Sequence, residues 1–145
     1  MKRAPTGFCL FLSAEILLTL CTCSMAQDVS YFALNRSEPL TEDSSIKLLI
    51  RGERRNWEDG MPITVILPGK DAESYEHVAK NFFGGDGQLM QRHWLRMVFS
   101  GRSRAPIYAK TDAEIYKLAS EIPGAFAVLK STPPEGYPIT IGTIP

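Results

Sequence analysis

The stretch that decides the fold class is Thr111-Asp-Ala-Glu-Ile-Tyr-Lys-Leu-Ala-Ser-Glu-Ile-Pro-Gly-Ala-Phe-Ala-Val-Leu129. Thr111 and Glu114 form a capping box, in which a threonine hydroxyl and a glutamate three residues on satisfy free N–H groups at a helix start. Ile115, Leu118, Ala119 and Ile122 then fall on one helical face. Pro123-Gly124 turns the chain, and Ala125 to Leu129 follow without a polar residue. An apolar run of that length bounded by turn residues reads as a buried strand, and a helix feeding a buried strand is an α/β unit.

The same grammar extends upstream. Ile63 to Leu67, between Pro62 and Pro68-Gly69, reads as a second buried strand. Asp71 is the expected cap of a helix carrying Tyr75, Val78, Ala79 and Phe82 at i, i+3, i+4 and i+7. Gly84-Gly85-Asp86-Gly87 breaks it, and a further helix from about Gln88 to Ser100 places Met90, Trp94, Met97 and Val98 inside. Ser103 to Pro106 reads as loop. Val29 to Leu34 is a short strand ending in the turn-like Asn35 to Pro39. Thr41 is the expected cap of a helix burying Ile46, Leu49 and Ile50 and ending at Gly52. Pro138 to Ile144 alternates Ile and Thr and is expected to form an edge strand. The predicted architecture is α/β: a small mixed, partly parallel sheet flanked by about four helices.

The first residues have a different character. Lys2 and Arg3 precede an apolar run from Phe8 to Cys23, and Ser24-Met25-Ala26 puts small residues before a cut at Gln27. That is the pattern of a cleavable export signal, and a 16-residue run interrupted by Glu15 falls short of a bilayer span, with an uncleaved anchor as the competing reading. The expected organisation is a signal peptide over residues 1–26 and one domain over residues 27–145, released as a periplasmic or secreted bacterial protein without membrane insertion after cleavage. All three cysteines lie in the leader, so the remaining domain has no disulfide and depends on its core. It would hold 14 Lys and Arg against 15 Asp and Glu, a balance with no overall footprint for nucleic acid or a membrane surface.

Few residues suggest chemistry. His77 and His93, the only histidines, match no metal-ligand spacing, and no metal or cofactor is expected. Ser74 lies three residues before His77, a pairing common by chance, and no nucleophile, base and orienting group converge, so an enzyme is not expected. Trp57 and Trp94 suit core packing better than a stacking wall for a ligand. The arginines are more suggestive. Arg51, Arg54 and Arg55 flank one helix end, and Arg92, Arg96, Arg102 and Arg104 lie on and after another. Guanidinium groups beside glycine turns suit bidentate capture of phosphate, sulfate or carboxylate. The competing reading is a solvated face paired with Glu53, Glu58 and Asp59.

From Tyr31 to Leu129 the chain resembles the short phosphate ABC transporter substrate-binding (periplasmic binding protein-like) proteins of bacteria. The shared features are Asn35 and Pro39-Leu40, Leu49-Ile50-Arg51-Gly52, Trp57, Gly60, Pro62-Ile63, Trp94 and Pro123-Gly124-Ala125-Phe126. Phe99-Ser100-Gly101-Arg102-Ser103-Arg104-Ala105-Pro106 resembles the family's Phe-Thr-Gly-Arg-Gly-Arg-x-Pro stretch. The resemblance implies one lobe of a type 2 periplasmic binding architecture and an oxyanion ligand, with Arg102 and Arg104 as its contacts and an ABC permease or another periplasmic protein as partner. Two departures bear on the ligand. Asp71-Ala72-Glu73-Ser74 stands where phosphate binders place Ser-Gly-Thr at a helix N-terminus, and Ala127-Val128 stands where the family often has Gly-Tyr. The alternative expectation is therefore an interaction module that keeps the fold without the phosphate site.

Overall fold

In the computed structural model, which describes residues 30–36, 40 and 43–144, strands and helices alternate as expected. The order is β1 (Ser30–Leu34), α1 (Asp43–Ile50), β2 (Thr64–Pro68), α2 (Tyr75–Phe83), α3 (Gly87–Phe99), β3 (Ile107–Ala109), α4 (Asp112–Glu121), β4 (Ala125–Leu129) and β5 (Thr140–Ile144). The leader and the Thr41 cap lie outside the described residues. The strands form one sheet in the order β3-β2-β4-β1-β5. β2 is parallel to β3 and β4, whereas β1 runs antiparallel to both β4 and β5. The sheet is thus mixed and partly parallel with four helices.

β4 is buried at every position, and its side chains divide by the period of two that a strand imposes. Phe126 and Val128 enter the larger core, with Leu49 and Ile50 of α1, Val78 and Phe82 of α2, and Met90 and Trp94 of α3. Ala125, Ala127 and Leu129 face the other way, against Ile115, Tyr116 and Ala119 of α4. Two alanines on that side let α4 lie close to the sheet. Three helices therefore cover one face and α4 the other.

Local chemistry sets the boundaries, and it corrects an expected one at the start of α2. Asp71 does not cap a helix. Residues 71–74 form turns, with Ala72 N–H donating to the Gly69 carbonyl and Tyr75 N–H to that of Ala72, and α2 begins only after Ser74. Between the expected loop, Ser103 to Pro106, and α4 lies β3, a strand that no feature of the sequence marked and that pairs with β2. Two other helix starts are capped by side chains, one of them with a shift of a residue. Asp86 accepts from Gln88 N–H at 3.0 Å and Leu89 N–H at 3.1 Å to open α3. Thr111 Oγ1 accepts from Glu114 N–H at 3.2 Å, while Glu114 reaches one residue further back than a capping box, accepting from Lys110 N–H at 2.7 Å.

Trp57 is a packing residue. It is buried, its Nε1–H donates to the Gly124 carbonyl at 3.1 Å, and the Arg36 and Arg54 guanidiniums lie over its ring. Gly124 has φ +74°, and a Cβ there would stand 2.7 Å from the Pro62 carbonyl oxygen. Left-handed backbone and a clash with backbone together predict that Gly124→Ala lowers the unfolding free energy by about 2 kcal/mol. A loss under about 0.5 kcal/mol in urea unfolding would place the turn's glycine among the dispensable ones.

Candidate functional site

Two glycine reversals build a basic basin. At the end of α1, Gly52 has φ +68°, with Gly52 N–H donating to the Leu49 carbonyl and Glu53 N–H to that of Leu48. At the end of α3, Gly101 has φ +69°, with Gly101 N–H donating to the Val98 carbonyl and Arg102 N–H to that of Met97. Both are the paired hydrogen bonds of a Schellman ending, which turns the chain sharply off the helix. Each ending carries arginines: Arg51 and Arg55 around the first, Arg102 and Arg104 after the second. The two segments meet around a basin of about 630 Å³ lined by Arg51, Glu53, Arg55, His93, Arg96 and Arg102 among others. A neighbouring cleft of about 480 Å³ is lined by Arg54, Arg55, Asn56, Thr64, Ser103 and Arg104. Of the two arginines singled out in sequence, Arg102 thus belongs to the basin and Arg104 to the cleft beside it, with Arg55 lining both.

The acidic residues that could neutralise this surface are each already paired with an arginine. Asp59 receives both Arg36 nitrogens, at 2.9 and 2.6 Å, and that bonding holds its carboxyl below the usual range. Glu53 pairs with Arg51 at 2.8 Å, and Glu58 stands 3.9 Å from Arg54. Arg55, Arg92, Arg96, Arg102 and Arg104 have no carboxylate partner among the described residues. The paired-face reading therefore holds for one set of arginines and leaves the other set open. Near-neutral charge in the sum conceals this segregation: residues 88–110 contain Arg92, Arg96, Arg102, Arg104 and Lys110 and no acid.

His93 supports the basin structurally. Its Nε2–H donates to the Arg51 carbonyl at 2.8 Å, tying α3 to the end of α1. His77 is likewise engaged in the interior, with Ser30 Oγ 2.5 Å from its Nε2 and the Asn81 amide at 3.2 Å. Among the described residues no group of three or more His, Cys, Asp or Glu could hold a metal ion.

The opposite edge of the sheet carries a different arrangement. In open α/β sheets, ligands favour the crevice at the carboxyl ends of the parallel strands. Here that edge holds Ser74, after β2, Asp112, after β3, and Lys130 and Ser131, after β4. The Asp112 carboxylate accepts from Ser74 N–H at 3.3 Å, Ser74 Oγ–H at 2.6 Å and Ser131 Oγ–H at 2.7 Å. Ser74 Oγ in turn accepts from Lys130 N–H at 2.7 Å. Tyr116 donates to the Ser131 carbonyl at 2.9 Å, and burial pushes its phenol up to about 12, so it remains a donor throughout the neutral range. Ser74 is fully buried and bonded to Asp112 rather than His77. The N-terminus of α2, where a free N–H would attract an anion, is filled by the chain's own carboxylate. Sequence reasoning missed this network because Asp112, next to a capping threonine, looks like an ordinary first-turn acid.

No protein-family model matches the chain, and neither a curated protein nor a solved structure matches it.

Proposed function

We propose that this chain is an exported binding protein, like one lobe of a periplasmic solute-binding protein in architecture, that captures a small oxyanion in the arginine basin at the carboxyl ends of α1 and α3. The observation that carries this reading is the convergence of Arg51, Arg55, Arg96 and Arg102 on one basin whose single carboxylate, Glu53, is already paired with Arg51. Guanidiniums offer planar pairs of N–H donors that match phosphate, sulfate or carboxylate oxygens. The carboxyl edge is the weaker candidate, because Asp112 occupies it with a negative charge of its own.

Titration calorimetry with phosphate, sulfate, molybdate and a dicarboxylate tests the proposal. One of these is expected to bind and, at a hundred times its Kd, to stabilise the fold by about 2.7 kcal/mol. Arg96→Gln with Arg102→Gln should weaken that binding at least tenfold, since each removes a charge-assisted hydrogen bond. Arg104→Gln, in the adjoining cleft, should change it less than threefold. No heat with any of the anions would leave the second reading, an interaction module with the fold but no small-molecule ligand, which the filled carboxyl edge favours.

A further inference from the structure

Beyond the basin, the outward side of α3 combines unpaired cations with uncovered apolar side chains. Arg92, Leu95, Arg96 and Phe99 follow one another at i, i+3, i+4 and i+7, so they share a ridge of the helix. Phe99 is 85% exposed and Leu95 55% exposed, the largest values among the described large hydrophobic residues. Arg102 and Arg104 continue past the end of the ridge, and all four arginines lack a carboxylate partner among the described residues. On the side of the ridge away from the basin an apolar groove of about 430 Å³ runs along Trp94, Leu95, Val98, Phe99, Pro106 and Tyr108. The acid on α3's own boundary, Asp86, caps the far end, 13 residues from Phe99 and so about 20 Å away along the helix axis.

We infer that this face docks on an anionic lipid surface, with Phe99 and Leu95 entering the boundary between headgroups and acyl chains while Arg92, Arg96, Arg102 and Arg104 meet the lipid phosphates. The ridge is convex and its greasy tips stand among the guanidiniums, so its occupant must be anionic and apolar at the same depth, as a charged bilayer interface is. A second copy presenting the same face would bring arginines against arginines. The chain's own leader offers Lys2 and Arg3 and so repels it. Duplex nucleic acid would satisfy the guanidiniums through its phosphates and leave Phe99 and Leu95 in water.

The test uses the exported chain, beginning at Gln27 and carrying Phe99→Trp, and vesicles whose acyl chains are brominated. Trp57 and Trp94 are buried, so quenching reports the introduced indole. Strong quenching is expected with phosphatidylglycerol-containing vesicles and little with phosphatidylcholine alone. Arg92→Gln with Arg104→Gln, which leaves the basin's lining intact, should lower the partition coefficient roughly 25-fold, on the order of fivefold per arginine. Leu95→Ser with Phe99→Ser should abolish co-sedimentation with the anionic vesicles. No quenching, or equal quenching by both lipids with no response to the arginine changes, overturns the inference. Anion binding measured by calorimetry on the Arg92→Gln/Arg104→Gln chain stands or falls independently of this result.

Discussion

Trp94→Ala should lower the unfolding free energy by about 3–5 kcal/mol, and the melting temperature by roughly 15 °C or more. The indole is 2% exposed, the largest of the fully buried side chains, and lies in the core shared by α1, α2, α3 and the sheet. Its ring fills the space that Gly52 leaves empty: a Cβ at position 52 would stand 2.5 Å from Trp94 Cη2 and 2.8 Å from Ser103 Oγ. The ring is thus wedged beneath the Gly52 reversal that carries Arg51 and Arg55. Truncation would remove burial and leave a cavity under it. Trp94→Phe separates packing from polarity. Trp94 Nε1 has no hydrogen-bond partner among the described residues, so the phenyl ring keeps much of the contact while discarding an unsatisfied donor. Its cost should stay near 1.5 kcal/mol or below. Equal losses for the two substitutions, in guanidinium unfolding followed by far-ultraviolet circular dichroism, would contradict the wedge.

The parts of this fold that were legible in sequence are those whose signal is local. α4 and β4 carry a cap, a helical stripe, a Pro-Gly turn and an unbroken apolar run, and they lie within a residue of where those features put them. β3 has no such signal. Ile107-Tyr108-Ala109 is three residues long with one of them fully buried, and its extended form depends on β2 alongside. Asp71 misled because an acid before an apolar helical stripe looks like a cap, whereas the turn at Gly69 delays the helix until Ser74. The arginines could be grouped from spacing, since both clusters flank a glycine after a helix. Which of them would share a basin could not, because that depends on how α3 lies against the end of α1. Arg55 and Arg96, three and five positions from those glycines, joined Arg102 there, and Arg104 did not.

Asp112 is where the remaining large effect is expected. Asp112→Ala removes the acceptor of three hydrogen bonds and strands Ser74 N–H, Ser74 Oγ and Ser131 Oγ at a buried edge, which should cost about 2–4 kcal/mol. Asp112→Asn keeps the size and one acceptor, so its loss should be about half as large. The alanine variant also frees the Ser74 N–H at the start of α2. An added small anion should therefore recover part of the lost stability by standing in for the missing carboxylate. Combining the substitution with Arg96→Gln and Arg102→Gln isolates this effect from binding in the basin. In that background, formate or sulfate should raise the melting temperature of the Asp112→Ala chain and leave the chain with Asp112 unchanged. A loss under 1 kcal/mol, or equal responses from the two chains, would mean that the carboxylate does not hold this edge. If the recovery is seen, what bars an external anion from the usual crevice of an α/β sheet is one side chain that the protein supplies, and the basic basin at the other edge becomes the place where such a ligand has room to bind.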